Sequence, residues 1–300
     1  MARRKRNKFT NIMEYIPLRL AIGFVDIIPM RAAFAISKFV GILSWWVLYN
    51  RRKLAINNVL LAGITTDEKE ATRIAKESFV SFSKLTVESL LATKLITNDT
   101  FYEHIDVSDV TEEQEKILKD PKQGVILCSA HLGNWEVSGH SISFWKRLIA
   151  VARTLDNPYA QRLLEKRNPR RNIEIVAKNS ADKGALLRPL KNGMLLGLIA
   201  DQHATSHSVE VDFMGHPAKT VTSVARLHLA TRCPIICGVF ARVGTMKFKF
   251  HVTGPFNFTP SGDKNADVLN ITQIMNKELE KFIRQYPEQY LWAHKRWRKR

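Results

Sequence analysis

From Gly124 onward, short apolar runs alternate with longer amphipathic ones, and this alternation constrains the fold more than any other feature of the sequence. The runs beginning at Gly124, Leu148, Ile173, Met194, Pro234 and Met246 have strand length and strand composition. Helical patterns separate most of them: one opening at Asn157-Pro158, one from Ala181 to Leu190 and one from Thr222 to Thr231. A long amphipathic helix from Asp267 to Tyr286 follows. That order predicts an α/β fold with a mostly parallel central sheet flanked by helices. The carboxyl ends of parallel strands line one edge, and ligands gather there. Three of the predicted strands end in polar residues, His131, Arg153 and Asp201, which places them on the same edge and within reach of one cleft.

The first of these strand ends carries the densest chemistry. Cys128-Ser-Ala-His-Leu-Gly-Asn-Trp-Glu-Val-Ser-Gly139 leaves a strand at His131, turns at Gly133-Asn134 and enters a helix at Glu136. A carboxylate in a first helical turn is favoured by the helix dipole. The spacing predicts that Glu136 holds one ring nitrogen of His131 and leaves the other as a general base. This is the base and orienter of a catalytic triad without a nucleophile, so the attacked hydroxyl belongs to the substrate. Asn134 and Trp135 supply turn geometry and packing. His203 and His207 have metal-compatible spacing, but their Thr/Ser-rich surroundings favour solvated side chains. Cys128, Cys233 and Cys237 sit in apolar runs and read as small buried hydrophobes in a reducing compartment.

The N-terminal third is mostly helical. A basic arm, Ala2 to Lys8, precedes an apolar region from Ile12 to Tyr49 that is interrupted by Arg19, Asp26, Arg31 and Lys38 and broken at Pro17 and Pro29. Its best piece, Ala32 to Tyr49, ends in Trp45, Trp46 and Tyr49, which fits a helix lying in a membrane interface; a tilted span and a buried hairpin are the alternatives. Residues 1–50 therefore read as a membrane-associating region and 51–300 as the catalytic domain. The 46 Lys and Arg against 28 Asp and Glu give a net charge of +18, which predicts an anionic partner: anionic lipid, an acidic carrier protein or nucleic acid. The basic C-terminus with Trp292 and Trp297 reads as a solvated tail, a carrier-protein dock or a lipid anchor.

Ala130-His-Leu-Gly-Asn-Trp-Glu136 resembles the His-four residues-Asp/Glu motif of the glycerolipid and lysophospholipid acyltransferases. Further segments are similar to the lipid A late acyltransferases, the lauroyl/myristoyl transferase branch: Arg153 with Asp156-Asn-Pro158, Leu198-Ile-Ala-Asp-Gln202, Phe213-Met-Gly-His-Pro-Ala-Lys-Thr220 and Pro287-Glu-Gln-Tyr-Leu-Trp-Ala-His-Lys-Arg-Trp297. Thr154 stands where that branch usually has proline. The resemblance covers nearly the whole chain in order.

The resemblance implies transfer of a fatty acyl group from an acyl carrier protein thioester to a hydroxyl of a lipid A precursor, at the cytoplasmic face of a bacterial inner membrane, with no cofactor or metal and no nucleic-acid partner. His131 and Glu136 are the implied catalytic pair. Arg153, Arg167, Asp201, Asn134 and Lys219 are the candidate substrate-binding residues, with Arg167 chosen over Arg170 and Arg171. For the developing oxyanion the candidates are backbone N–H groups of the Gly133-Asn134 turn, or Arg153. The competing class is a non-catalytic basic module for membrane or nucleic acid. Within the family, the alternatives are another glycolipid or aminolipid acceptor and a coenzyme A donor.

Overall fold

The computed structural model describes residues 7–152, 155–167, 172–177 and 183–297. In chain order these form α1 (Lys8–Ile27), α2 (Met30–Val47), α3 (Tyr49–Leu61), α4 (Glu68–Leu95), the single turn α5 (Phe101–His104), β1 (Ile105–Asp106), α6 (Glu112–Lys119), β2 (Val125–Ser129), α7 (Trp135–Ile142), β3 (Leu148–Ala152), α8 (Pro158–Arg167), β4 (Ile173–Ala177), α9 (Lys183–Lys191), β5 (Leu195–Ile199), β6 (Ser208–Phe213), β7 (His216–Val221), α10 (Ser223–Thr231), β8 (Ile235–Gly244), β9 (Lys247–Phe256) and α11 (Lys264–Gln285). A 3₁₀ turn, Pro287–Gln289, follows α11.

Among the described residues, seven strands form one sheet in the order β1-β9-β8-β2-β5-β3-β4, parallel throughout except for the β8–β9 hairpin. β2 is buried over its whole length. Its alternate residues feed two different cores, Ile126 and Cys128 on one face, Val125 and Leu127 on the other, which is why it reads as an unbroken apolar run. All three cysteines are buried. The long helix α4 starts with the Asp67 side chain accepting the Lys69 N–H at 3.0 Å.

The N-terminal region differs from expectation at one break. Pro29 ends a helix, but Pro17 lies inside α1, which continues through it. α2 packs on α4 along a four-residue-spaced stripe, Ala33, Ser37, Gly41 and Trp45. Gly41 is required there, since a Cβ would stand 2.7 Å from the Val80 Cα. The rest of α2 and one face of α1 stay uncovered: Ile27 is 85% exposed, Phe39 64% and Trp46 63%. α2 is 18 residues long with a mean hydropathy of 1.2, long and apolar enough to cross a bilayer. Arg52 stacks over Trp45, Trp46 and Tyr49 at the end of this surface, 5.1–5.6 Å from the ring centres. The α2–α3 hairpin is thus half buried, packed on one side, with the open face of α2 apolar and that of α3 polar and basic.

β6 and β7 form a separate antiparallel hairpin that the sequence did not announce. Its two-residue turn is Met214-Gly215, both with positive φ (55° and 83°). Hairpin turns of this kind favour Asn-Gly or Asp-Gly, and methionine at the first position conceals the signal.

Candidate active site

The strand register assembles the site. β2 and β5 are parallel neighbours with Ser129 opposite Ile199. Two residues beyond each, His131 and Asp201 emerge side by side at the carboxyl edge. Asp201 Oδ1 is 2.8 Å from His131 Nδ1, and Asp201 Oδ2 accepts the His131 backbone N–H at 3.1 Å. The carboxylate is 1% exposed, while the His131 side chain keeps 20% of its surface open. Burial alone would push the Asp201 carboxyl up. The His131 ring, its two hydrogen bonds and the nearby Arg296 guanidinium outweigh that and hold it below the usual aspartate value. An ionised carboxylate only accepts, so Nδ1 carries the proton and Nε2 presents its lone pair. The Gln202 side-chain amide faces that lone pair at 3.2 Å. Trp135 stands edge-on to the imidazole at 5.0 Å and is itself backed by Phe82 at 5.2 Å.

This arrangement revises the predicted pairing. The carboxylate on Nδ1 is Asp201, where the sequence suggested Glu136. Five residues along a chain is a short distance, but Asp201 arrives through the sheet register already fixed against the ring. Glu136 lies exposed in the first turn of α7, and its backbone N–H bonds to Asn134 Oδ1 at 3.1 Å.

Asn134 is not available to a substrate. It is fully buried and caps α7: Oδ1 accepts from the N–H groups of Glu136 and Val137, and Nδ2 donates to Glu88 Oε2 at 2.9 Å. Glu88 in turn holds the Arg242 guanidinium through both carboxylate oxygens, Nη2 lying 2.7 Å from Oε2. Arg242 also reaches the Ser81 hydroxyl at 2.8 Å. Its backbone exchanges two hydrogen bonds with the Gln289 carboxamide, at 2.8 and 2.9 Å. This buried network ties α4, β8 and the 3₁₀ turn to the histidine loop.

The turn amides are committed as well. Gly133 N–H donates to Gln289 O at 3.1 Å and Asn134 N–H to Phe240 O at 3.0 Å, so neither is the oxyanion donor expected of them. Gly133 has φ +63°, and a Cβ there would stand 1.9 Å from the Phe240 carbonyl oxygen, so the turn admits only glycine.

The C-terminal segment to Trp297 is neither tail nor anchor. The Leu291 N–H donates to His131 O at 3.1 Å, which lays the segment along the histidine loop. Asn58 Nδ2 donates to the carbonyls of Trp292 and His294, at 2.7 and 2.8 Å, and the Ser78 hydroxyl to Tyr290 O at 2.7 Å. Trp292 is buried, and Trp297 packs on Phe213 and donates its indole N–H to Phe213 O at 3.2 Å. Arg296 is 2% exposed, stacked over Phe213 with its guanidinium on Lys219 O at 2.8 Å and the Thr220 hydroxyl at 2.6 Å. Burial pushes the Tyr290 phenol well up, with the Asp201 carboxylate adding to it. The Pro-Glu-Gln-Tyr signature is therefore the rear wall of the site. Burial of its Trp and Arg side chains could not be read from a run so rich in charge.

Arg153 lies outside the described residues, as does the side chain of Arg167. The strand leading to Arg153, β3, adjoins β5, with Ala150 opposite Gly197. Lys219 is exposed on β7; its carbonyl accepts from Arg296 and from the Ala204 N–H at 3.2 Å. His203 bridges to Thr220, and the His207 carbonyl accepts from the backbone and hydroxyl of Thr222.

Residues 5–299 match the family described as bacterial lipid A biosynthesis acyltransferase. The chain is 23% identical over 290 residues to the lipid A biosynthesis lauroyltransferase of Escherichia coli (strain K12), covering 94% of this chain and 91% of that one. It is 20% identical over 264 residues to the lipid A biosynthesis palmitoleoyltransferase of the same organism and to a lipid A biosynthesis acyltransferase of Shigella flexneri, in each case over 87% of this chain and 83% of the other.

Proposed function

The chain belongs to the bacterial lipid A biosynthesis acyltransferase family and is an acyltransferase, and from that premise we propose that it moves a fatty acyl group from an acyl carrier protein thioester to a hydroxyl of a lipid A precursor. The observation that carries the reading is the His131–Asp201 pair, 2.8 Å apart, with the His131 side chain keeping 20% of its surface open. His131 Nε2 takes the proton of the acceptor hydroxyl as its oxygen attacks the thioester carbonyl. The tetrahedral intermediate expels the thiolate, which recovers the proton from the imidazolium. Asp201 fixes the tautomer and stabilises the imidazolium. Glu136, on the same turn, is retained as the second carboxylate of the site, adding negative charge beside the cation that forms. Arg153, Arg167 and Lys219 are assigned to the acceptor's phosphates, the two guanidinium groups binding them bidentately and the Lys219 ammonium as a point charge.

The test is transfer by the purified protein from labelled acyl carrier protein to a lipid A precursor, read as a mass increase of one acyl chain. His131→Ala is expected to abolish it while leaving the circular dichroism unchanged. Equal transfer from the coenzyme A thioester, or transfer only to a different glycolipid or an aminolipid, would overturn the assignment of donor or acceptor.

The uncovered apolar faces of α1 and α2, bordered by Arg51, Arg52 and Lys53, support work at the inner membrane's cytoplasmic face, with residues 1–50 as the attachment. Phe39→Asp with Leu43→Asp changes only exposed positions. Its expected effect is at least about a tenfold loss of partitioning onto anionic vesicles in a sedimentation assay, because an aspartate costs about 2.5–3.5 kcal/mol at apolar depth. Unchanged partitioning would place the contact elsewhere.

A further inference from the structure

The oxyanion of the proposed transfer needs a donor. The two turn amides nearest in sequence to the base are spent on the Gln289 and Phe240 carbonyls. Among the described residues, the donor recorded beside the reacting nitrogen is the side chain of Gln202, whose amide nitrogen is 3.2 Å from His131 Nε2. It is half buried.

We propose that Gln202 is a catalytic residue whose side-chain amide donates to the thioester oxygen as that oxygen becomes an anion. The proposal rests on the acyl-transfer reading above. The amide nitrogen lies 3.2 Å from Nε2 and faces its lone pair. An acceptor hydroxyl must take that same lone pair, at about 2.6–3.2 Å, to give up its proton. Its arrival leaves the amide N–H without an acceptor, next to the carbonyl carbon under attack. As the new C–O bond forms, the carbonyl π pair moves onto oxygen, about 2.7–3.1 Å being the distance a donor must hold.

The backbone around Gln202 is fixed for that task. The preceding residue, Asp201, bonds the His131 ring and its backbone N–H. The Gln202 carbonyl faces the buried Arg296 guanidinium at 3.4 Å. The next residue, His203, bridges to Thr220. A donor held in place before the charge develops needs little reorganisation, which is the source of its effect. The same short segment thus orients the base through Asp201 and meets the oxyanion through Gln202.

The experiment compares wild type, Gln202→Ala and Gln202→Glu for turnover. Binding is compared for two inert donor analogues: an acyl phosphonate, tetrahedral and anionic, and the corresponding neutral amide. Gln202→Ala is expected to lose 10²–10³-fold in kcat with KM within about threefold, and to weaken the phosphonate but not the amide. Gln202→Glu places a negative charge against the anion and is expected to be worse than alanine. A kcat for Gln202→Ala within threefold of wild type, or equal loss of both analogues, would overturn the proposal while leaving the acyl-transfer reading intact. A gain in kcat would mean that Gln202 only blocks the base, and would also overturn it. A wild type that neither transfers acyl groups nor binds either analogue would overturn both.

Discussion

Asp201→Asn is expected to reduce kcat by about three to four orders of magnitude without unfolding the protein, because asparagine keeps the shape but lets the imidazole adopt the wrong tautomer. The ionised Asp201 accepts the Nδ1 proton at 2.8 Å and so leaves Nε2 free to act as base. An asparagine amide turned towards the ring would donate to Nδ1 and move the ring proton to Nε2, the position that must receive the substrate proton. The measurement is steady-state kinetics alongside ¹⁵N spectra of the imidazole. Wild type should show the Nδ1–H form, and Asp201→Asn a mixture or the Nε2–H form. Glu136→Gln separates the two carboxylates: it should lower turnover while leaving the Nδ1–H tautomer in place. If Glu136→Gln shifts the tautomer and Asp201→Asn does not, the orienter is Glu136 and the pair seen at the strand ends is incidental.

Glu88→Ala should destabilise the fold by about 3–5 kcal/mol, because it leaves Arg242 charged and without its carboxylate in a buried site. Glu88 is fully buried and Arg242 nearly so, and together they support Asn134, the cap of α7. In a chain of this size that loss should lower the melting temperature by roughly 5–8 °C. Activity should fall further than stability alone explains, since the histidine loop would lose its fixed cap. Replacing both residues, Glu88→Met with Arg242→Met, should recover much of the stability, as apolar substitutes for a buried ion pair often do. Denaturant titration of the two single variants and the double variant isolates the coupling. Coupling near zero would mean that the pair is too solvated to matter.

Much of this architecture was legible in the sequence for identifiable reasons. The strands of the parallel sheet are apolar runs of the right length, and their polar end residues mark the functional edge. His131 and Asp201 were both visible as strand ends. Their partnership was not, because it depends on β2 and β5 being spatial neighbours in register, a long-range fact with no local signal. The nearer carboxylate, Glu136, therefore attracted the assignment. The same holds for Glu88 and Arg242, which lie in different elements and become a pair only when α4 crosses over β8. Lys and Arg near the end of the chain suggested a solvated tail, yet Arg296 is enclosed by the β6–β7 hairpin, an element hidden by methionine in its turn.

The rear wall of the site has a consequence for biogenesis. Residues 287–297 lie far downstream of the loop that carries His131, yet they bond to it. During translation the parallel strands have neighbours to pair with, but the histidine loop lacks part of its backing, the bonds to Gln289 and Leu291, until this strip emerges and docks. Catalytic competence therefore waits for residues 287–297, and a chain stalled before them is expected to fold its earlier strands while remaining chemically silent.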